Sequence, residues 1–302
     1  MACSVAESYD YCRALARRTA RNFYYSFLAL PRDRQPAMCA LYAFMRVTDD
    51  LGDSDEPEAV RAAQLTAWRA CLVRACETSP ANTPPVDDPV LPALTDVVRR
   101  HGLPVKYLLD VITGVEMDLQ PAAYETFEKL ADYCYHVAGA VGLSCIHLWG
   151  FHDQRALAAA IDCGTAFQLT NILRDVREDA ARGRTYLPQE DLERFHITGE
   201  ELAAYDPSHN PGDDRFVQLM RFEVSRAREY YARAQDLFAY LDKPGKPILE
   251  TMLRIYGGLL DEIERRNYDV FTRRVELSRW RKICVVAQTL VRYKIRGLFC
   301  RS

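Results

Sequence analysis

Residues 168–179, with the sequence QLTNILRDVRED, place oxygen-bearing side chains along one face of a predicted helix. At about 3.6 residues per turn, Asn171, Asp175 and Asp179 follow one another at one-turn intervals. Apolar residues between them allow another side of the helix to be buried, namely Ile172, Leu173 and Val176. The stretch therefore predicts a helix that packs within the fold and presents an acidic stripe.

A second stretch, residues 42–53 (YAFMRVTDDLGD), repeats this pattern with Asp49 and Asp53 one turn apart. Like charges at this spacing repel by roughly 1 kcal/mol in water and by several times more beside apolar protein. A fold that holds two such stripes needs cations between them, and Mg²⁺ bound by one or two carboxylates together with phosphate oxygens fits this need. The alternative is that each stripe is a solvated helix face. A basic residue accompanies both stripes, Arg46 and Arg174, which favours a diphosphate-binding magnesium site.

Both stretches resemble motifs of a known family. Residues 42–53 are similar to the first aspartate-rich motif of the squalene and phytoene synthase family, and residues 168–192 are similar to the second. The segments FYYSFLALPRDRQPAMCALYAF, YCYHVAGAVGL and IYGGLLDEIERRNYDVFTRRV extend the resemblance from about Tyr9 to Lys282. It implies an all-α fold of the isoprenoid synthase type, a single large helical domain of residues 1–302 around a central cavity. The chain also shows no strand-like alternation of convincing length, which favours the same class.

The resemblance also implies roles for individual residues. The expected metal ligands are Asp49, Asp50, Asp53, Asn171, Asp175 and Asp179, although an ideal helix points Asp50 about 100° away from Asp49. The expected substrate-binding residues are Tyr42, Arg46, Gln168, Arg174, Tyr256 and Arg273, and the family's late arginine can also fall on Arg274 because the spacing differs by one. Tyr133 is the expected catalytic residue, which would steer a carbocation or its proton removal; the alternative is that it packs at the cavity wall.

The function implied is a magnesium-dependent, head-to-head condensation of two prenyl diphosphates with release of diphosphate. The segments FYYSFLALP and VEMDL favour two farnesyl diphosphates and presqualene diphosphate, on the squalene or hopanoid route. The alternative is a carotenoid enzyme that makes phytoene from two geranylgeranyl diphosphates, because IERRNYDVFTRRV and SRWRK resemble bacterial phytoene synthases. Chain-elongating or cyclising enzymes fit YCYHVAGAVG and TYLP poorly, and a non-catalytic helical adaptor leaves the acidic stripes without a purpose. Mg²⁺ is the expected cofactor, and no motif supports an NADPH site.

Composition limits which binding partners and which cellular compartment are expected for this protein. The 302 residues contain 39 basic and 42 acidic residues, a net charge of -3 that argues against a nucleic-acid partner. The chain contains no targeting peptide and no run of about 18 apolar residues, so we expect a cytoplasmic protein. Its ten cysteines form no CxxC pair, which predicts reduced thiols. Residues 273–302 hold nine Lys or Arg and one acidic residue, which predicts either peripheral membrane contact or a core-packed helix with a solvated basic side.

Two further expectations concern the walls of the cavity. Small residues in AGAVGL, residues 138–143, either leave room for a long apolar chain or allow a close helix crossing. An apolar lining would shield a carbocation from water, drawn from Phe23, Tyr24, Phe27, Val137, Val141, Leu143 and Phe167. Polar residues with two interpretations, at the site or merely on the surface, are Glu116, Asp118, Arg182 and Arg184.

Overall fold

The structure, a computed structural model, describes residues 3–20, 24, 26–77, 88–120, 123–205 and 214–299. Its helices are α1 Val5–Thr19, α2 Gln35–Gly52, α3 Glu58–Glu77, α4 Leu91–His101, α5 Val105–Met117, α6 Phe127–Cys134, α7 Ala140–Trp149, α8 Ala156–Ala181, α9 Gln189–Arg194, α10 Gly199–Ala204, α11 Arg215–Ala234, α12 Leu237–Tyr240, α13 Lys246–Arg265 and α14 Arg279–Phe299. Extended pairing in these ranges is limited to isolated bridges between Ala123 and Thr185 and between Phe151 and Leu241. The predicted all-α fold is confirmed.

Local sequence signals account for several helix ends. The pattern of residues 9–22 predicts a helix, and helix α1 begins before Tyr9 because Ser4 and Glu7 form a capping box, in which the Ser4 amide donates to the Glu7 carboxylate at 2.8 Å. Helix α4 ends at Gly102, whose φ of 58° is a left-handed conformation that suits glycine. Most of the predicted loop at 79–92, nearly all of the loop at 206–214 and the lining candidate Phe23 lie outside the described residues.

Residues 126–149 show a helix-like pattern, and in the structure a π-helical turn, Tyr135–Gly139, interrupts the helix between α6 and α7. Here the Ala140 amide donates to the Tyr135 carbonyl, one residue further back than in an α-helix. The pattern of residues 215–242 likewise predicts one long helix, but α11 ends at Ala234. The chain continues through α12 to Asp242, whose amide donates to the Gly150 carbonyl at 3.0 Å.

Helices α7 and α8 cross at very short distance. A Cβ atom added to Gly142 would lie 2.7 Å from the Ala160 carbonyl oxygen, and one added to Gly164 would lie 2.4 Å from the Ala138 carbonyl oxygen. At these two glycines the small residues serve the close crossing rather than leaving space for a prenyl chain. The crossing fixes α8, which carries the second acidic stripe.

Helix α8 lies at the centre of the bundle, packed against α7, α11, α13 and the π turn. It is also the helix of the described part that is long and apolar enough to span a membrane by length and composition. However, 61% of its most apolar window is buried inside the protein. Its hydropathy therefore reflects a core helix. One hydrophobic cluster, running from Cys12 to Val285, joins α8 to the other long helices.

Candidate active site

The first acidic pair occupies the last turn of α2, where the buried face of the helix is firmly anchored. Next to Asp49, the Thr48 side chain is fully buried and accepts a hydrogen bond from Trp68 Nε1 at 2.9 Å. The Trp68 ring also stacks on Phe44, with centroids 5.8 Å apart. Asp49 and Asp53 project from the other side of this helix and are exposed to solvent.

Gly52 determines what the first acidic pair faces. A Cβ atom at this position would lie only 2.3 Å from Val115 Cγ1, so glycine allows the end of α2 to approach α5 closely. Arg61 secures the same turn by donating to the Gly52 carbonyl at 2.7 Å. This approach sets Asp53 near Asp118, which follows the last residue of α5.

The Asp49 side chain is exposed to solvent on one side and has protein around the rest of it. Burial, followed by the charge of Asp53, raises the pKa of Asp49 to about 7. The opposing charge of Arg46 lowers it only in part. The pair is therefore short of positive charge, which is the electrostatic condition expected of a cation site.

The second acidic stripe lies on α8, as the sequence predicts. Arg174 Nε donates to Asp175 Oδ1 at 2.8 Å, and both side chains are largely buried. One turn further on, burial and the charge of Asp175 raise the pKa of Asp179 to about 6. The charges of Arg182 and Arg184 lower the pKa of Asp179 only in part.

Arg274, rather than the expected Arg273, reaches the second stripe. The Arg274 guanidinium donates to Asp175 Oδ1 through Nε at 3.1 Å and through Nη2 at 2.9 Å. The Arg273 side chain is exposed, and its carbonyl accepts from Arg266 at 3.0 Å. The turn after α13, with Asn267 and Tyr268 in left-handed conformations (φ 51° and 64°), sets this register. Of these two arginines, Arg274 is therefore the one whose side chain contacts the second stripe.

Asp118 connects the first acidic pair to a cluster of tyrosines. Its carboxylate accepts from the Tyr133 hydroxyl at 3.0 Å and from the Tyr186 hydroxyl at 2.8 Å, and its carbonyl accepts from Arg184 at 3.1 Å. The Tyr124, Tyr133 and Tyr186 rings contact one another. The sequence left open whether Asp118 lies at the site or merely on the surface, and it did not single out Tyr186. The sequence feature that could have indicated both residues is the presence of VEMDL, which contains Asp118, together with TYLP, which contains Tyr186.

Tyr133 is buried, with 3% of its surface exposed. Burial and the charge of Asp118 raise the pKa of Tyr133 well above its ordinary value, so the phenol is neutral at physiological pH. Because its hydroxyl proton is donated to Asp118, the oxygen lone pairs remain as acceptors. The tyrosine is thus a fixed dipole beside the acidic pair.

The remaining substrate candidates lie along α8 and its neighbours. Tyr256 of α13 stacks on Phe167 of α8 with centroids 4.4 Å apart, and it hydrogen-bonds to Asn171. Asn171 Nδ2 donates to Gln168 Oε1 at 3.3 Å. Burial raises the pKa of Tyr256 to about 12. These contacts gather three predicted residues beside Arg174.

Arg46 provides a test of whether an anion fits this site. Its Nη2 forms an ion pair with Asp50 one turn away, and about half of the Asp50 side chain is exposed. Its Nε is buried, and within the described residues it has no hydrogen-bond partner. An unsatisfied guanidinium nitrogen beside a pair of carboxylates fits a metal-bound phosphate group. Asp50 is engaged by Arg46, so binding a metal directly would require this ion pair to open.

No group of three or more His, Cys, Asp or Glu side chains is assembled for a metal ion in the described ranges. The site instead offers a pair of carboxylates on each of two helices. Such a set fits Mg²⁺, which is held by one or two carboxylates together with water and substrate phosphates. The residues present therefore suit an ion that arrives with a diphosphate.

The aromatic part of the predicted lining lies close to Tyr42. The Phe27 ring contacts both Tyr24, at 6.3 Å between centroids, and Tyr42, at 6.1 Å. Arg17 Nε donates to the Tyr24 hydroxyl at 2.8 Å, which holds this edge in place. The other described candidates are at least partly buried, namely Val137, Val141, Leu143 and Phe167.

Solved structures define the class of protein. The chain superposes on a crystal structure of a dehydrosqualene synthase with a TM-score of 0.83 and 28% identity, covering 96% of this chain and 98% of the other. It superposes on a squalene synthase from Alicyclobacillus acidocaldarius with a TM-score of 0.79 and 28% identity, covering 87% and 95% of the two chains. The fold is that of the isoprenoid synthases, of the squalene/phytoene synthase type.

Sequence comparison then gives the family. Residues 16–281 match the Squalene/phytoene synthase family, so the chain belongs to that family and is a prenyltransferase. It is 36% identical to a 15-cis-phytoene synthase of Synechococcus elongatus, over 96% of this chain and 94% of the relative. It is 33% identical to a phytoene synthase of Mycobacterium tuberculosis, over 95% and 91%. The family acts on prenyl diphosphates and is generally dependent on a divalent metal.

Proposed function

We propose that this protein condenses two geranylgeranyl diphosphates head to head, with release of diphosphate, to form phytoene. The observation that most supports the reaction is the presence of acidic pairs on α2 and α8, together with the unsatisfied Nε of Arg46, whose charge acts on Asp49. The substrate is supported by full-length similarity to phytoene synthases. These relatives favour the alternative over the farnesyl substrate that FYYSFLALP and VEMDL suggested.

We assign different residues of the chain to different parts of the reaction. We assign diphosphate binding to Arg46, Arg174 and Arg274, whose guanidinium groups suit phosphate oxygens. The acidic pairs would hold Mg²⁺ through Asp49, Asp53, Asn171, Asp175 and Asp179, with Asp50 as an additional ligand. When bound, Mg²⁺ neutralises the charge that develops on the departing diphosphate. Tyr42, Gln168 and Tyr256 would position the substrate.

Tyr133 acts after ionisation in this proposal. A neutral phenol hydrogen-bonded to Asp118 presents oxygen lone pairs to a passing cation. These can stabilise positive charge, or receive a proton while the phenolic proton passes to the Asp118 carboxylate. The partly aromatic lining excludes water, which would otherwise quench the cation to an alcohol. Asp118 thereby orients the catalytic tyrosine.

The test of substrate uses purified protein with Mg²⁺, without NADPH, and either farnesyl or geranylgeranyl diphosphate. Mass analysis of the organic extract and of the retained diphosphates should show phytoene from geranylgeranyl diphosphate. Presqualene diphosphate from farnesyl diphosphate, with no product from the longer substrate, would restore the squalene-pathway function. No turnover of any prenyl diphosphate would instead favour the non-catalytic adaptor.

Arg274 and Arg273 form a matched pair for testing the diphosphate site. Arg274→Met should raise the KM for prenyl diphosphate by about 10-fold or more, because a charge-assisted contact is lost. Arg273→Met should change it less than about twofold, because no contact of its guanidinium with the acidic stripe is present. Steady-state measurement of diphosphate release distinguishes them, and a larger effect of Arg273→Met would return the role to that residue.

We further propose a single domain that works in the cytoplasm with peripheral membrane contact. The shared hydrophobic cluster from Cys12 to Val285 supports one domain. Nine cysteines in the described ranges are free thiols, which supports a reducing compartment. The basic C-terminal segment supports the membrane contact.

A further inference from the structure

Helix α14 exposes a continuous apolar stripe along its outer face. Trp280, Ile283, Val291 and Ile295 follow one another at helical intervals and are 77%, 38%, 55% and 48% exposed. The exposed Cys284 and Ala287 fill the space between them. Half of the exposed large hydrophobic side chains found in the described ranges lie on this one helix. These six residues together are termed the α14 stripe.

The opposite face of α14 is already packed on the protein. Val285 and Val286 are buried, and Thr289 is fully buried. Arg254 of α13 fastens this face by donating to Gln288 at 2.6 Å and to Thr289 at 3.2 Å. The helix therefore has two apolar sides, and the α14 stripe is the one that the protein's own core does not use.

Charge surrounds the stripe on both edges. On a helical projection, Arg281 and Arg292 lie beside one edge of the stripe and Arg279 lies beside the other, while Lys294 falls within the stripe next to Ile283. Arg292 also forms an ion pair with Glu250. Residues 273–302 carry nine basic residues and one acidic residue, while the remaining chain carries 30 basic and 41 acidic residues. A cationic border on an otherwise acidic protein complements an anionic surface.

We propose that the α14 stripe docks this protein on the surface of a bilayer that contains anionic lipid, and this inference rests on the peripheral contact proposed above. An exposed tryptophan, aliphatic side chains and flanking cations are the features of helices that lie in the membrane interface. We expect α14 to lie on the bilayer and not to cross it, because in the described ranges only α8 is long and apolar enough to span a membrane. A second copy of the chain fits the stripe poorly, since an isologous contact would bring the cationic borders together.

Docking in this way would bring the acidic site close to the lipid. Arg274, five residues before α14, contacts Asp175 of the second acidic pair. The short segment before α14 thus connects the lipid-facing helix to Arg274, one of the residues assigned to diphosphate binding. A forty-carbon hydrocarbon has negligible solubility in water, so release beside a bilayer removes the cost of transferring it.

Intrinsic fluorescence of the full-length protein tests the docking directly. Trp68 and Trp149 are 6% and 4% exposed, so a change in emission on adding vesicles reports Trp280. Vesicles of phosphatidylcholine mixed with phosphatidylglycerol should shift the emission to the blue and sediment the protein, and added salt should reverse both effects. Vesicles of phosphatidylcholine alone should bind more weakly. Trp280→Phe should remove the spectral change and retain sedimentation.

A charged double variant and a matched control make the proposal falsifiable. Val291→Glu combined with Ile295→Glu should weaken sedimentation at least about tenfold, whereas Val60→Glu, at a 39% exposed site on α3, should bind as the parent does. The proposal would be overturned if the double variant and the control bound vesicles equally, or if the parent protein stayed in the supernatant. It would also be overturned if the parent were a dimer and the double variant abolished dimerisation. Turnover of detergent-dispersed substrate should be unchanged in the double variant. This readout separates docking from catalysis, because failure of the enzyme assay alone would contradict only the proposed function.

Discussion

Asp49→Asn is expected to lower turnover by about 10³-fold or more while leaving the fold intact. The substitution keeps the shape of the side chain but removes the charge that would hold Mg²⁺ opposite the departing diphosphate. Asp175→Asn should have an effect of the same order, because Asp175 holds the equivalent position in the second stripe. Magnesium-dependent release of diphosphate from the prenyl substrate is the measurement.

Stability gives an independent check on the Asp49 variant. Since the pKa of Asp49 is raised to about 7, the folded metal-free protein loses stability as the pH rises from about 4 through 7 and the carboxylate ionises. Asp49→Asn removes this loss, so its melting temperature at pH 8 without metal should equal or exceed that of the parent. A misfolded variant would melt lower, which distinguishes lost chemistry from lost structure.

Asp55→Asn is the matched control, an exposed carboxylate two residues beyond Asp53. It should retain the parental turnover. Retained turnover in both Asp49→Asn and Asp175→Asn would contradict the proposed metal site, whereas a comparable loss in Asp55→Asn would mean that net charge, rather than these positions, governs the reaction.

Gly164→Ala is expected to destabilise the protein by about 3 kcal/mol, at the upper end of what overpacking typically costs. The added Cβ would lie 2.4 Å from the Ala138 carbonyl oxygen and 2.7 Å from the Gly139 amide nitrogen, so only backbone movement can relieve the contact. Thermal unfolding followed by circular dichroism should show a melting temperature lower by about 5 °C or more.

Gly257→Ala is a second glycine-to-alanine substitution, and for this one we expect no loss of stability. Gly257 lies inside helix α13, and a Cβ there would meet nothing within 4 Å. Alanine is favoured over glycine in a helix by about 1 kcal/mol, so this variant should be as stable as the parent or slightly more stable. If Gly164→Ala were equally harmless, the close crossing of α7 and α8 would not be a determinant of the fold.

The sequence was most informative where chemistry and helical period coincide. Asp49, Asp53, Asn171, Asp175 and Asp179 could be placed on two helix faces because a regular helix repeats every 3.6 residues. Arg274 could not be separated from Arg273, since the choice depends on the left-handed turn at Asn267 and Tyr268.

Tertiary contacts decide the features that the pattern left open. Asp118 resembles an ordinary surface acid until Gly52 brings α2 against α5 and the tyrosines converge on its carboxylate. The segment VEMDL thus supplies an aspartate that holds tyrosines, which is not a measure of prenyl chain length.

The π turn at Tyr135–Gly139 acts as a phase shift between two halves of what would otherwise be one helix. A single additional residue rotates everything after it by about 100° relative to everything before it. The half before the turn can therefore aim Tyr133 at Asp118, while the half after it aims Gly142 at Ala160. Deleting one residue from the turn would force a choice between these two alignments, so that either Tyr133 or the helix crossing would lose its partner.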